Sequence, residues 1–287
     1  TGACNIAIGG NSLGANTTGA CNTAVGHQAL KSNTDAVNNV AIGFESFCTN
    51  TTGNNNVAIG KSALCSNTNA SNNTAVGFES LKANTTAENN TAVGRSALTT
   101  NTTGTDNVAV GCGSLTANTT AIRNTAVGKG SLTSNTTGAN HVAVGAFSLG
   151  SNTTGNCNTV VGVSALYTNT TGSDNTGLGK SVLYDNTTGN NNVAVGKGSL
   201  ANNTTASYNT SIGWNSSCSN TTGTFNTALG SGALDANTTA SYNTSIGSYS
   251  LSANTTGANN TALGQQALLA NTTAANNTAV GYVAMCD

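Results

Sequence analysis

Residues 90–106 read NTAVGRSALTTNTTGTD, and this stretch decides the fold because it recurs along the whole chain. Aligned copies read N-(T/V)-A-(V/I/L)-G-x-x-(A/S)-L-x-x-N-T-T-(G/A)-x-x, and the glycine recurs every 17 residues from Gly9 to Gly281 without insertion or deletion. The 17 copies predict a single uninterrupted repeat array over residues 1–287, with no second domain. We number each repeat from its first Asn, so that the recurrent glycine occupies position 5.

The length and composition of the repeat favour β-structure over helix. Helical repeats need about 33 or more residues and strong helix formers, whereas this repeat is rich in Asn, Thr and Gly. We expect two short strands per repeat, one at N-T-A-V and one from A-L to N-T-T. Stacked copies would pair about 4.8 Å apart. The predicted fold is an all-β parallel β-solenoid or β-roll of 17 stacked 17-residue rungs.

Two apolar columns are the predicted core. Position 4 is Val, Ile or Leu in every copy, from Ile8, Val25 and Ile42 through Val280, and position 9 is Leu in 14 copies. Because side chains alternate along a strand, position 2 is expected to face the same way as position 4. The aliphatic groups of one rung do little to offset the entropy lost when 17 residues are ordered. We therefore expect an oligomer, with a trimer favoured.

Asn recurs at position 12 of every complete copy and at position 1 of 16 copies. Stacked Asn side chains are expected to form hydrogen-bonded ladders along the array. His141, the one exception at position 1, is interpreted as a substituted ladder member and not as a ligand. The other histidine, His27, lies at a variable surface position without an identifiable partner.

Fourteen of the position-12 asparagines lie in N-T-T, which is also an N-glycosylation sequon. Neighbouring sequons would lie only about 4.8 Å apart, which argues against full occupancy. A structural ladder and partial glycosylation are the two interpretations of this column. Possible glycosylation sites include Asn16, Asn50, Asn84, Asn101 and Asn118.

Four of the eight cysteines form two stacked pairs. Cys4 and Cys21 share position 17 of consecutive copies, and Cys48 and Cys65 share position 10. A separation of about 4.8 Å falls within the 4.4–6.8 Å between Cα atoms that a disulfide needs. The sequence therefore predicts two disulfides, and these in turn indicate an oxidising, extracellular setting.

Several classes of function are disfavoured by what the sequence lacks. With 8 Lys+Arg against 9 Asp+Glu, the chain has no basic excess for nucleic-acid binding. No apolar run is long enough for membrane insertion. No CxxC motif, Cys/His cluster or recurring carboxylate pair is present, so we expect no metal, no cofactor and no enzymatic activity.

The N-x-A-V-G-x-x-(A/S)-L core resembles the head repeats of trimeric autotransporter adhesins. It is more similar still to the Asn/Thr-rich repeats of phage and viral tail-fibre shafts, although the repeat is longer than the adhesin unit. The resemblance spans every copy and implies a trimeric, left-handed β-roll that forms an exposed shaft. It also implies a core of position-4 residues such as Val93 and Val127, and turns at Gly94 and Gly128.

The first hypothesis is an extracellular structural protein, either a tail-fibre or a surface filament or adhesin stalk. Its partners would be other copies of itself, and surface glycans or a host receptor. Neither end carries the polar capping repeat usual in solenoids, and open strand edges pair with other chains. We therefore expect either a piece of a longer array or a unit that assembles head to tail.

Two binding functions are the alternatives. An ice-binding solenoid is suggested by the Thr columns at positions 13 and 14, which begin at Thr17, Thr34 and Thr51 for position 13. Carbohydrate adhesion is suggested by large aromatic residues at variable positions, for which tolerated surface variation is the competing interpretation. These aromatic residues are Phe44, Tyr167, Tyr208, Trp214, Tyr242 and Tyr282.

Overall fold

The computed structural model describes residues 2–286, so Thr1 and Asp287, the two ends of the predicted array, lie outside the described residues. The regular elements of the described chain are three-residue β-strands, one in each repeat, and no helix occurs among them. The chain divides into two compact units, residues 1–141 and residues 142–287. We refer to the repeat that contains strand βn as rung n.

The first unit contains eight strands: β1 (Ile6–Ile8), β2 (Thr23–Val25), β3 (Val40–Ile42), β4 (Val57–Ile59), β5 (Thr74–Val76), β6 (Thr91–Val93), β7 (Val108–Val110) and β8 (Thr125–Val127). The second unit contains nine: β9 (Val142–Val144), β10 (Thr159–Val161), β11 (Thr176–Leu178), β12 (Val193–Val195), β13 (Thr210–Ile212), β14 (Thr227–Leu229), β15 (Thr244–Ile246), β16 (Thr261–Leu263) and β17 (Thr278–Val280).

Within each unit, every strand pairs in parallel with the strand of the next rung, at a register of one repeat. Thr91 lies opposite Val108 in the first unit, and Thr176 lies opposite Val193 in the second. The parallel β-solenoid predicted from the sequence is therefore confirmed in both units.

The second strand predicted for each rung is absent, and turns and bends replace it. Rungs still share backbone hydrogen bonds there, as from Leu98 N to Ser114 O at 3.0 Å. However, positions 7 and 9 have left-handed backbone, with φ of 56° at Ser96 and 51° at Leu98. Since a strand requires extended dihedrals, these two residues turn the chain instead of extending it.

The prediction that position 4 forms the core is wrong. Ala92, at position 3 of β6, is fully buried, whereas its neighbour Val93 is 36% exposed. Alternation along a three-residue strand therefore directs position 3 inward and positions 2 and 4 outward. The same correction applies along the column: Val25 and Val127 are half-buried, and Ile8, Ile42 and Val280 are exposed.

The interior of most rungs holds one large side chain among small ones. Position 9 is core as predicted in the internal rungs, where Leu98 and its equivalents from Leu30 to Leu268 are buried. In the second unit, Leu234 and Leu251 pack with the small residues Ala228, Ala233 and Ala262. The interior is therefore thin, and small side chains at positions 3 and 8 leave room for the leucine column.

The position-5 glycine is required by both its backbone conformation and its surroundings. Its φ lies between 118° and 150° in the described copies, a region that side chains disfavour. A Cβ atom on Gly94 would lie 2.6 Å from the carbonyl oxygen of Gly111 in the next rung. Adjacent rungs therefore approach through bare backbone at this position.

Replacement of Gly111 by alanine should locally destabilise the array by about 2 kcal/mol or more. The new Cβ would lie 2.5 Å from the carbonyl oxygen of Gly128, at a φ of 137°. Gly113→Ser is the matched control, because Ser96 already occupies the same repeat position with similar dihedrals. Its expected effect is within about 0.5 kcal/mol.

Native-state hydrogen exchange at the amides of β7 and β8 is the measurement, because opening in a repeat array is local. Equal acceleration of exchange by the two substitutions would contradict the close-approach explanation.

Candidate functional site

The side chains at positions 2 and 4 of the strands form what we refer to as the outward strand face. Position 2 is Thr in 11 copies and otherwise Val or Ile, while position 4 is always aliphatic. No charged residue occurs at either position. Exposure of this face is substantial: Leu178 is 49% exposed, and Leu229 and Leu263 are each 44% exposed.

The size of this face is that of an interaction surface. In the second unit, nine parallel strands spaced about 4.8 Å apart extend about 38 Å, and three residues span about 10 Å across. The footprint of this face is about 400 Å²; position 4 supplies a row of aliphatic side chains along it, and position 2 is Thr in seven of its nine strands. Exposed apolar surface gathered in this way often marks an interaction site. The outward strand face of this unit is therefore the main candidate site.

A ladder of three stacked aromatic rings borders this face, at position 17 of rungs 12–14. Tyr208 and Phe225 have ring centroids 4.9 Å apart and planes 4° apart, and Phe225 and Tyr242 are 5.2 Å apart with parallel planes. All three rings are about half exposed. They precede their strands by two residues, and Trp214, which is 50% exposed, follows β13 by two residues.

The ladder leaves no free ring face at its central residue. A sugar packs its C–H groups against an exposed ring face, and both faces of Phe225 are stacked against Tyr208 and Tyr242. Carbohydrate adhesion through the surface aromatic residues stays a prediction.

Sequence reasoning missed this ladder, although its signal was present. Phe225 was not among the aromatic residues singled out from the sequence. Tyr208, Phe225 and Tyr242 are spaced by one repeat, which places them in one column. The same rule pairs His27 with Phe44, whose rings stack at 5.5 Å, so His27 does have a partner. Tyr167 and Tyr184 likewise stack, at 5.6 Å.

The Thr column at position 13 has a structural role. Thr17 Oγ1 donates to the carbonyl oxygen of Thr34 at 3.0 Å, and Thr51 Oγ1 donates to that of Thr68 at 3.0 Å. These residues lie in bends and not in a strand. The hydroxyl groups that an ice-binding surface would direct toward water are thus occupied by the neighbouring rung.

The Asn ladders predicted from the sequence are confirmed. At position 12, Asn101 Nδ2 donates to Asn84 Oδ1 at 3.0 Å and to the Gly104 carbonyl oxygen at 2.9 Å. At position 1, the backbone amide of Asn107 donates to Asn90 Oδ1 at 3.0 Å. Such side chains satisfy buried polar backbone as well as one another.

Two members of the position-1 column differ from the others. His141 is buried and retains the ladder bond through its backbone, because its amide donates to Asn124 Oδ1 at 3.0 Å. Asn243 Nδ2 is buried without a hydrogen-bond partner among the described residues, and the structure offers no explanation for it.

The sequon asparagines are largely inaccessible in the folded chain. Asn50, Asn84, Asn101 and Asn118 are fully buried, and Asn16 is half-buried. In each of them Nδ2, the atom that would carry a sugar, donates a hydrogen bond to a carbonyl oxygen three residues later. The geometry favours the structural interpretation of this column, and glycosylation there stays a prediction.

Neither predicted disulfide is confirmed. The sulfurs of Cys48 and Cys65 lie 2.7 Å apart as hydrogen-bonded thiols, while Cys4 and Cys21 are exposed free thiols. The hydrogen bond between the first two sulfurs raises the pKa of Cys48 and lowers the pKa of Cys65 to about 7. Both disulfides therefore stay predictions, with the better geometry at Cys48 and Cys65.

Charged groups are few and none lies at positions 2 and 4 of the outward strand face, although the bordering positions 6 and 17 carry several of them, such as Lys180 and Asp174. Lys82 Nζ pairs with Glu79 Oε1 at 2.7 Å, and this hydrogen bond raises the pKa of Lys82. Burial raises the pKa of Asp235. Exposed ion pairs of this kind contribute little to stability. Over residues 2–286, no three His, Cys, Asp or Glu side chains are grouped to hold a metal ion.

A groove of about 310 Å³ lies at the last described rung, lined by residues that include Leu268, Asn271, Thr272 and Met285. In internal rungs the equivalent groups contact the following rung, as Thr255 Oγ1 contacts the Thr272 carbonyl oxygen at 3.0 Å. We therefore interpret the groove as a rung-stacking surface and not as a ligand pocket.

Comparison with known proteins adds no assignment. No protein-family model matches the chain, and no curated protein is significantly similar to it in sequence. No helix long and apolar enough to cross a membrane occurs in the described part of the chain. A function must therefore be argued from the repeat and its surfaces.

Replacement of Asn118 by alanine should destabilise its rung by about 1–3 kcal/mol, because buried partners lose their hydrogen bonds. Asn118 Nδ2 donates to Asn101 Oδ1 at 2.8 Å and to the Ala121 carbonyl oxygen at 3.2 Å. Thr120→Ala, at an exposed position of the same turn, is the control with an expected change within about 0.5 kcal/mol. Thermal unfolding followed by circular dichroism compares them, and equal midpoints would argue against a stabilising ladder.

Proposed function

We propose that the chain is a structural segment of an extracellular fibre or shaft, and that copies associate side by side through the outward strand face. The observation that carries the proposal is that, within each unit, this face consists of aliphatic and Thr side chains without a charged residue. The resemblance of the repeat to tail-fibre shafts and adhesin heads supports the same function. The extracellular setting rests on this resemblance and on the stacked cysteines.

The distribution of large side chains supports self-association. Most rungs bury one leucine at position 9, while the position-4 aliphatic residue remains partly in water. Apolar surface contributes about 25 cal/mol per Å² when it is removed from water. A second copy of the chain presents a face of the same length, spacing and lack of charge, which makes it a matching occupant.

The finer features of the proposal follow from the resemblance. Three copies with their outward strand faces directed toward a common axis would cover all three faces at once. This trimer, the left-handed coil and end-to-end growth belong to the proposed shaft. Glycans or a host receptor would then meet the surfaces that remain outside.

Ice binding is the second candidate, and it now rests on a different surface. Each T-A-V strand directs its Thr and its aliphatic residue to the same side, and parallel pairing stacks such pairs where consecutive rungs both have Thr at position 2, as at Thr74 and Thr91. This arrangement is more regular than the bends at positions 13 and 14. The two candidates exclude each other, because a face that is covered by another copy cannot contact ice.

Sedimentation of the full chain should show a single oligomeric species, and Leu229→Lys should shift it toward the monomer. Leu229 is 44% exposed on the outward strand face. In the oligomer the lysine that replaces it would bury its ammonium group between two uncharged faces, which is unfavourable. Ser231→Lys is the control, since position 6 carries Lys or Arg in several other copies. A wild-type chain that sediments as a monomer would overturn the proposed association.

Thermal hysteresis of the same samples tests the second candidate. The fibre proposal predicts no effect on ice growth by the oligomer. A monomer whose ice-growth inhibition is lost on Thr227→Lys and retained on Ser231→Lys would establish ice binding by the outward strand face instead.

A further inference from the structure

Cys48 and Cys65 form a close dithiol at position 10 of rungs 3 and 4, in the first unit. Their Sγ atoms are 2.7 Å apart, and Cys48 Sγ also lies 3.5 Å from the carbonyl oxygen of Cys65. Both residues are half-buried. Stacking alone does not produce this contact, because Cys4 and Cys21 are also one repeat apart but are exposed, with no hydrogen bond between their sulfurs among the described residues.

We propose that Cys48 and Cys65 are a redox-active dithiol that reacts with small-molecule disulfides, with Cys65 as the attacking sulfur and Cys48 as the resolving sulfur. The Cys65 thiolate attacks one sulfur of the disulfide, forms a mixed disulfide and releases the other half as a thiolate. Cys48 then loses its proton, attacks the Cys65 sulfur and releases the second thiolate. The two cysteines are oxidised, and one disulfide is reduced to two thiols.

The surroundings of the two sulfurs give them different roles. Either thiol could donate the hydrogen bond that the sulfurs share. However, Cys48 Sγ also lies 3.5 Å from the carbonyl oxygen of Cys65, which can only accept, so the proton is placed on Cys48. With Cys48 as the donor, the shared hydrogen bond raises its own pKa and lowers the pKa of Cys65 to about 7. Lys82 follows Cys65 in the same column and also lowers the pKa of Cys65, although it is paired with Glu79. The thiolate is the nucleophile in exchange, so the lower pKa identifies the attacking sulfur.

Other charged groups near the dithiol do not reverse this assignment. Glu45, on the same rung as Cys48, raises the pKa of both thiols. Lys31 precedes Cys48 in the column, at one repeat's distance. The difference between the two sulfurs therefore comes mainly from the hydrogen bond that joins them.

The fold is compatible with the oxidised product. Adjacent parallel strands lie about 4.8 Å apart, and a disulfide accepts Cα separations of 4.4–6.8 Å. The bond would therefore form between rungs 3 and 4 without a change of backbone register. It would link two rungs that are otherwise held together by hydrogen bonds and by the buried side chains of Phe47 and Leu64 at position 9.

The test uses the reduced full chain and oxidised glutathione, followed by alkylation and peptide mapping by mass spectrometry. The wild-type chain should lose two hydrogens, with Cys48 linked to Cys65. Cys48→Ser should stop at a glutathionylated Cys65, whereas Cys65→Ser should react more slowly, at Cys48. Cys112, an exposed cysteine without a cysteine in either adjacent rung, reports ordinary thiol reactivity.

The pH dependence of iodoacetamide alkylation tests the assignment of roles separately. The midpoint for Cys65 should lie near pH 7 in the wild-type chain and should move upward in Cys48→Ala, which removes the hydrogen-bond donor. An unchanged midpoint, or Cys65→Ser reacting as fast as Cys48→Ser, would overturn the assignment. Modification of Cys112 without any link between Cys48 and Cys65 would overturn the dithiol itself. Neither result depends on the proposed fibre function.

Discussion

Adjacent rungs come closest at the position-5 glycine, and most of the other features of the repeat follow from that contact. A Cβ atom on Gly60 would lie 2.4 Å from the carbonyl oxygen of Gly77, and the same relation recurs in other rungs. Because the glycine directly follows the strand, its position fixes the register at which the next strand pairs. Any added or deleted residue would place a side chain at this contact, which explains why the repeat keeps a constant length of 17.

With the register fixed, a column of identical residues becomes a structural element in its own right. Asn side chains that stand one above another connect rungs through amide hydrogen bonds, and leucines at position 9 pack into a continuous apolar column. The left-handed backbone at Leu98 costs about 1–2 kcal/mol, and burial of the leucine offsets a similar amount. The interior of the array therefore consists of hydrogen-bonded Asn ladders and of an apolar column of leucines.

The sequence was sufficient for the features that depend on the repeat alone. The parallel solenoid, the leucine column and the Asn ladders all follow from a constant period, and the structure agrees with each. The period does not determine which side of the strand faces inward. Val93 is more apolar than Ala92 and was expected inside, but the interior beside Leu98 is too thin for both large side chains, so the smaller one is buried.

The candidate site was missed for the same reason, since it consists of residues that had been placed in the core. The sulfur contact shows a second limit of sequence reasoning. Two cysteine pairs share the same spacing, yet only the pair at position 10 has sulfurs in contact, because side-chain direction differs between columns. The spacing in the sequence identifies which residues are neighbours in a stack, while the local backbone conformation determines whether the ends of their side chains are in contact.

The periodicity of the outward strand face has a consequence for axial alignment. A partner that lies along such a face meets nearly the same surface after each shift of one rung. This face by itself therefore determines the orientation of the partner and its distance from the face, but not its axial position along the stack. Irregular columns differ from rung to rung and remove that degeneracy. Tyr208, Phe225 and Tyr242 mark rungs 12–14 and no others. A uniform stack thus acquires a fixed reference point along its length from three rings at its edge.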